Sequence, residues 1–129
     1  SYISSRGKLG IFFCDGPGCS SGSSLILDSR GNTKSKVNAV IGDAGFPIIL
    51  YKNDFTGSED SRSDTLNIFV CNSEDCSSGQ KFVLVAEDAA HTPSSISIGA
   101  NGKPTSIYYD INDGSYVTFT CTNNNCSLN

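Results

Sequence analysis

The sequence predicts an all-β protein made of β-propeller-like repeats, with four antiparallel strands in each of about two and a half units. Three observations predict this class. A Cys-x4-Cys motif recurs three times, each copy follows a short apolar run, and turn sequences rich in Gly, Asn, Asp and Ser separate the runs. A β-sandwich and an unclosed stack of sheets are the alternative folds.

The cysteine motifs set the register of the repeat. They begin at positions 14, 71 and 121, and the acidic insertion in 56–62 accounts for the longer first spacing. Segments 41–51 and 98–108 also match at Gly, Pro and Tyr. A period of about 50 residues is typical of propellers and arrays. We therefore predict one domain, 1–129, with units at 1–37 (partial), 38–94 and 95–129 (partial).

Short runs of β-branched and aromatic residues give the expected strands. Asn-Gly at 101–102 and Asp-Gly at 113–114 indicate hairpins with type I′ turns. Only 87–95 could form a helical turn, which Pro93 would end. The predicted strands are 9–13, 24–28, 37–41, 48–51, 66–70, 82–86, 95–98, 105–109 and 116–120.

All six cysteines lie in the repeated motif, which favours local disulfides and an oxidising compartment. Zinc sites usually space their ligands by two residues and need two pairs that converge on one ion. We therefore predict a secreted chain without metal or cofactor, in which each bridge contributes about 2 kcal/mol. The predicted bridges are Cys14–Cys19, Cys71–Cys76 and Cys121–Cys126.

Composition excludes several partners. The net charge is −4 and 17% of residues are charged, which argues against nucleic acid and against anionic membranes. No apolar run approaches the roughly 20 residues that span a bilayer. The chain lacks Met and a signal peptide, so we expect a processed product or part of a longer polypeptide.

The sequence offers no convincing catalytic set. His91 is the single histidine, which leaves little for a nucleophilic triad. The carboxylates of Asp110 and Asp113 fall in turn positions, where acids are usually solvated, so we predict that the chain is not an enzyme. The acidic insertion offers oxygen ligands for calcium without EF-hand spacing, and a solvated loop is the simpler interpretation. The weak calcium candidates are Asp54, Glu59, Asp60 and Asp64.

Two further features concern glycans. Tyr51, Tyr108 and Tyr109 recur near one position of the unit, either as a sugar-stacking platform or as packing between repeats. Packing is the simpler interpretation, and the absence of tryptophan disfavours a lectin. Asn125 begins an Asn-Cys-Ser sequon, although a cystine in the middle would lower its occupancy.

Four segments carry a resemblance to a known repeat: GFPIILY (45–51), LNIFVCNSEDCS (66–77), GKPTSIYYD (102–110) and YVTFTCTNNNCS (116–127). They resemble a repeat of large secreted proteins of algae and related protists, flagellar-hair (mastigoneme) proteins foremost. The resemblance covers nearly the whole chain and implies an extracellular scaffold or fibre subunit. It carries over no catalytic residue. The first unit departs from the pattern, because SYISS stands where YYDIND appears later.

The sequence therefore predicts an extracellular structural protein, a subunit of a filament or surface appendage. Incomplete units would expose sheet edges and faces. A second copy, or further repeats of the same polypeptide, would complete them in a head-to-tail contact. The alternatives are a carbohydrate-binding module and a fragment of a larger secreted protein.

Overall fold

The computed structural model describes residues 2–3, 8–29, 37–53, 65–85, 91–110 and 113–122. These residues form strands joined by turns, so the predicted all-β class is confirmed. The strands are β1 (Tyr2–Ile3), β2 (Leu9–Cys14), β3 (Gly22–Asp28), β4 (Asn38–Ile41), β5 (Pro47–Asn53), β6 (Thr65–Cys71), β7 (Gly79–Val85), β8 (His91–Ile98), β9 (Pro104–Asp110) and β10 (Ser115–Thr120).

The strands pair in chain order into three antiparallel meanders. The first sheet is β1-β2-β3, the middle sheet is β4-β5-β6-β7, and the third sheet is β8-β9-β10. By repeat alignment, the first sheet has counterparts of the last three strands of the middle sheet, and the third sheet has counterparts of its first three. Across the described part of the chain no sheet closes into a barrel.

The middle sheet lies between the other two and is covered on both faces. Along β5, Ile49 and Tyr51 pack with Leu9 of the first sheet. Ile48, whose side chain points to the opposite face of the sheet, packs with partly buried side chains of the third sheet. Successive side chains of a strand point to opposite faces, so cover on both sides makes β5 a continuous apolar run instead of an alternating one.

Two turns of equivalent sequence close the first hairpins of the middle and third sheets. Gly42 N donates to Phe46 O at 2.9 Å, and Gly99 N donates to Lys103 O at the same distance. Gly45 has a φ of 82° and Gly102 a φ of 73°. Asn101 does not share the positive φ, so the hairpin prediction at 101–102 is confirmed and the type I′ assignment is wrong. A single left-handed glycine suffices because the loop is longer than two residues.

The N-terminal part of the third sheet also differs from expectation. The segment 91–95 is not helical, because β8 begins at His91 and pairs with Asp110 of β9. The register of β8 against β9 shifts between Pro93 and Ser95. Such a bulge tolerates proline, which cannot donate a hydrogen bond to the ladder. The predicted strands do not include β1, because its two residues are too few to show a period.

Among the described residues there is no helix with the length and apolar character that a bilayer crossing requires.

Candidate functional site: the stacking faces of the repeat units

Each sheet has a front face and a back face, named here from the middle sheet. Its front face carries Ile49, Tyr51 and Phe69, and it packs on the back face of the first sheet, where Leu9 and Ile11 lie. Its back face carries Ile48, Ile68 and Val70, which pack against the front face of the third sheet. The front face of the first sheet and the back face of the third sheet are therefore the two outer faces of the stack.

A buried carboxylate joins the first sheet to the middle sheet. Asp28, on β3, is 6% exposed. It accepts hydrogen bonds from Tyr51 Oη at 2.8 Å, from Asn53 Nδ2 at 3.1 Å and from Lys81 Nζ at 3.0 Å. Because burying an unpaired carboxylate is costly, these donors fix how the two sheets sit on each other.

The second interface cannot build the same cluster. The counterpart of Tyr51 is also a tyrosine, Tyr108. The counterpart of Asp28, however, is Val85, which has no carboxylate. Burial raises the pKa of the half-buried Tyr108, and the nearby Asp110 carboxylate adds to this effect. Ser106 is 2% exposed, and its hydroxyl has no hydrogen-bond partner among the described groups. Apolar packing therefore makes up a larger share of the contact between the middle and third sheets than of the contact between the first and middle sheets.

The Cys-x4-Cys motifs form closed loops after β2 and β6. The disulfides Cys14–Cys19 and Cys71–Cys76 join residues whose Cα atoms are 4.7 and 4.9 Å apart. Cys19 and Cys76 have φ of 48° and 53°, in the left-handed region that non-glycine residues rarely adopt. Cys121 is disulfide-bonded as well, while Cys126 lies outside the described residues. Two of the three predicted bridges are thus confirmed.

The second loop holds an acidic side chain in a dense hydrogen-bond arrangement. The Asp75 carboxylate accepts from Ser73 Oγ at 2.7 Å, and from the Ser77 amide at 3.1 Å and hydroxyl at 2.8 Å. The Ser73 hydroxyl, followed by the Ser77 donors, lowers the pKa of Asp75 from 3.8 to about 2. The ionised carboxylate therefore helps to order the loop.

We expect the Asp75 carboxyl to titrate near pH 2 in a carboxyl-carbon NMR titration. Its pKa is depressed in the folded loop, so the ordering is complete above about pH 4 and is lost as the pH falls through about 2. The Ser73→Ala variant should move the midpoint upward, because it removes the largest of the stabilising hydrogen bonds. A midpoint that stays unchanged in that variant would contradict the assignment.

The two disulfide loops differ in how far they are covered. Cys71 and Cys76 are each 2% exposed and belong to the core between the first and middle sheets. Cys14 and Cys19, at the equivalent positions of the first sheet, are exposed. The same contrast holds for the phenylalanines, since Phe69 is 9% exposed and Phe12 is 45% exposed.

A cleft of about 330 Å³ opens where the turn before β5 meets the end of β6. Phe46, Ile48 and Val70 supply much of its apolar lining, and Asp43 and Asn72 supply polar groups. Asp43 also lies against Gly102 of the next turn. This composition offers no pair of groups for proton transfer or nucleophilic attack.

The remaining sequence candidates do not converge. Tyr51 is fully buried, whereas Tyr108 and Tyr109 are half-buried, and Tyr109 meets Tyr116 edge-on with ring centroids 5.2 Å apart. Within the described ranges no group of His, Cys, Asp or Glu could hold a metal ion. The backbone of His91 begins β8. The candidates outside the described residues are Asp54, Glu59, Asp60, Asp64 and Asn125.

Sequence reasoning missed Asp28, the residue with the most consequential polar contacts. One signal was present: an aspartate ends the apolar strand LILD, where the equivalent strand of the next unit ends in Val85. An acid at a core position calls for buried partners, but the sequence does not say which.

No family model, curated protein or solved structure matches this chain.

Proposed function

We propose that this chain is an extracellular structural module that stacks, face to face, with further units of its own repeat. One observation carries the proposal. The front face of the middle sheet buries Phe69 and the Cys71–Cys76 disulfide under a neighbouring sheet. The front face of the first sheet presents Phe12 and Cys14–Cys19 at the equivalent positions with no such cover from the described residues.

Two features of the molecule support this function. Both interfaces pair the front face of one unit with the back face of its neighbour, so a further unit can stack in the same orientation. Local disulfides suit an oxidising, protease-rich environment. The arrangement also fits a filament, coat or appendage subunit whose partner is a second copy or another repeat of one polypeptide. The carbohydrate-binding alternative is weaker, because it expected equivalent sites at Tyr51 and Tyr108, and Tyr51 is buried.

Protection of the first disulfide tests the proposal. In the isolated chain, mild reduction followed by alkylation and mass spectrometry should modify Cys14 and Cys19 well before Cys71 and Cys76, because only the latter pair is buried. In the native extracellular material both disulfides should react equally slowly, because a further unit covers the front face of the first sheet. The buried disulfide serves as an internal reference within each molecule.

Variants make the test specific to that face. Phe12→Ser should abolish the protection of Cys14–Cys19 in the assembled material. Ile41→Ser is the matched control, because Ile41 is 60% exposed on the edge strand β4 and lies on neither outer face. If the native material leaves Cys14–Cys19 as reactive as in the isolated chain, the face is uncovered and the proposal fails.

A further inference from the structure

By repeat alignment, each cross-strand row on the back face of the middle sheet has an equivalent row on the back face of the third sheet. The residue types in the equivalent rows differ. Across the middle sheet Val40 pairs with Ile48, and Ile48 pairs with Val70. The equivalent row of the third sheet consists of Ser97, Thr105 and Thr120, in the same pairing. Aliphatic side chains on the face that another sheet covers are thus replaced by hydroxyls on the outer face.

The neighbouring rows follow this trend in part. Thr118 replaces Ile68, which is 1% exposed, and Tyr116 replaces Leu66 and is 71% exposed. Leu50 keeps an aliphatic counterpart in Ile107. Thr105 Oγ1 and Thr120 Oγ1 lie 3.2 Å apart and hydrogen-bond to each other.

Threonine preserves the strand while it changes the solvent preference of the face. It is β-branched like valine and isoleucine, so the strand keeps residues that favour a pleated sheet. A hydroxyl in place of a methyl is not neutral in a core, because it needs a hydrogen-bond partner when buried. A hydroxyl on Thr118 or Thr120 therefore suits water better than the apolar front face of another unit.

We infer that the back face of the third sheet terminates the stack. Water covers this face, and growth proceeds only from the front face of the first sheet. Terminal units of repeat arrays need a polar outer face for solubility. The inference rests on the proposed stacking function and narrows it. The unit that covers Phe12 has an aliphatic back face like that of the middle sheet, and it is not the third sheet of another copy of this chain.

A gain-of-function variant tests the termination. In Thr105→Ile/Thr118→Ile/Thr120→Val the outer back face regains three residues of the middle sheet, those at positions 48, 68 and 70. Sedimentation velocity should find the natural chain at its monomer mass of 13.6 kDa. The triple variant should form head-to-tail oligomers whose weight-average mass rises at least about threefold, since a heterologous contact does not stop at two copies.

Front-face changes separate specific docking from simple stickiness. Adding Phe12→Ser to the triple variant should return it to the monomer. Because Phe12 also lies over Gly22, Ser24→Glu is a second blocking change that leaves this contact intact. Ser24 is exposed and pairs with Phe12 on the same face. Oligomers that persist with both blocking changes would come from non-specific association and would overturn the inference.

The outcomes distinguish the two proposals. If the natural chain already grows head to tail, and Thr118→Lys stops that growth, the stacking function stands and the termination is overturned. If neither the natural chain nor the triple variant associates while both melt cooperatively, the stacking function itself fails and the termination fails with it.

Discussion

Asp28→Ala is expected to lower the free energy of unfolding by about 3 kcal/mol, because it strips buried donors of their acceptor. Tyr51 and Asn53 are fully buried, so water cannot replace the lost carboxylate at these two groups. The Lys81 side chain is 25% exposed and can turn toward solvent, which keeps the loss below that of a fully buried ion pair. The first sheet should loosen from the middle sheet before the rest of the chain unfolds.

Urea denaturation, followed by hydrogen exchange of the β2 and β3 amides, measures both effects. Asp15→Ala is the control, since this exposed residue of the first disulfide loop should change stability by no more than about 0.5 kcal/mol. A double-mutant cycle with Lys81→Met isolates the contribution of the ion pair. A loss below about 1 kcal/mol for Asp28→Ala would mean that the cluster does not join the sheets.

Ile68→Thr should cost about 3 kcal/mol, whereas the reciprocal Thr118→Ile should change stability by no more than about 0.5 kcal/mol. Both residues occupy the same position of the repeat, but Ile68 is 1% exposed between two sheets and Thr118 is exposed on the outer face. The first change places a hydroxyl in an apolar core. The second adds aliphatic surface where water already lies.

Thermal and urea unfolding of the two variants, side by side, provide the measurement. Each variant is the matched control of the other, because the same two residue types are exchanged at equivalent positions of the repeat. Equal losses in both variants would show that the outer back face is packed in the native protein, and this would also count against its role as the end of the stack. A small loss for Ile68→Thr would instead contradict the three-layer packing.

Sequence reasoning found most of the strands because the repeat supplied several views of one unit. The Cys-x4-Cys motifs located the ends of β2 and β6. Gly102 and its counterpart Gly45 located two equivalent turns, and both glycines have a positive φ. The continuous apolar run of β5 concealed which side chains face which neighbour, because a strand covered on both sides loses its alternation. The register of β5 against its neighbouring strands assigns each of its side chains to one face, and the sequence alone leaves that register open.

The polar cluster could not be predicted for a different reason. Asp28 lies 23 residues from Tyr51 and 53 residues from Lys81, and these residues meet only when separate sheets stack. The type I′ assignment failed because Asn-Gly is compatible with several loop lengths, and the length chosen here needs one left-handed residue. The predicted strand begins at 95 and not at 91, because the sequence does not show that a bulge accommodates Pro93 within β8.

The closure of each described disulfide within its own loop bears on how such chains change over evolutionary time. A duplication or deletion that adds or removes a whole unit carries both cysteines of a pair together, so it leaves no orphan thiol to mispair during oxidative folding. Scaffolds with bridges between distant segments do not have this freedom. The length of the array can thus vary by recombination, while oxidative folding of each unit stays the same.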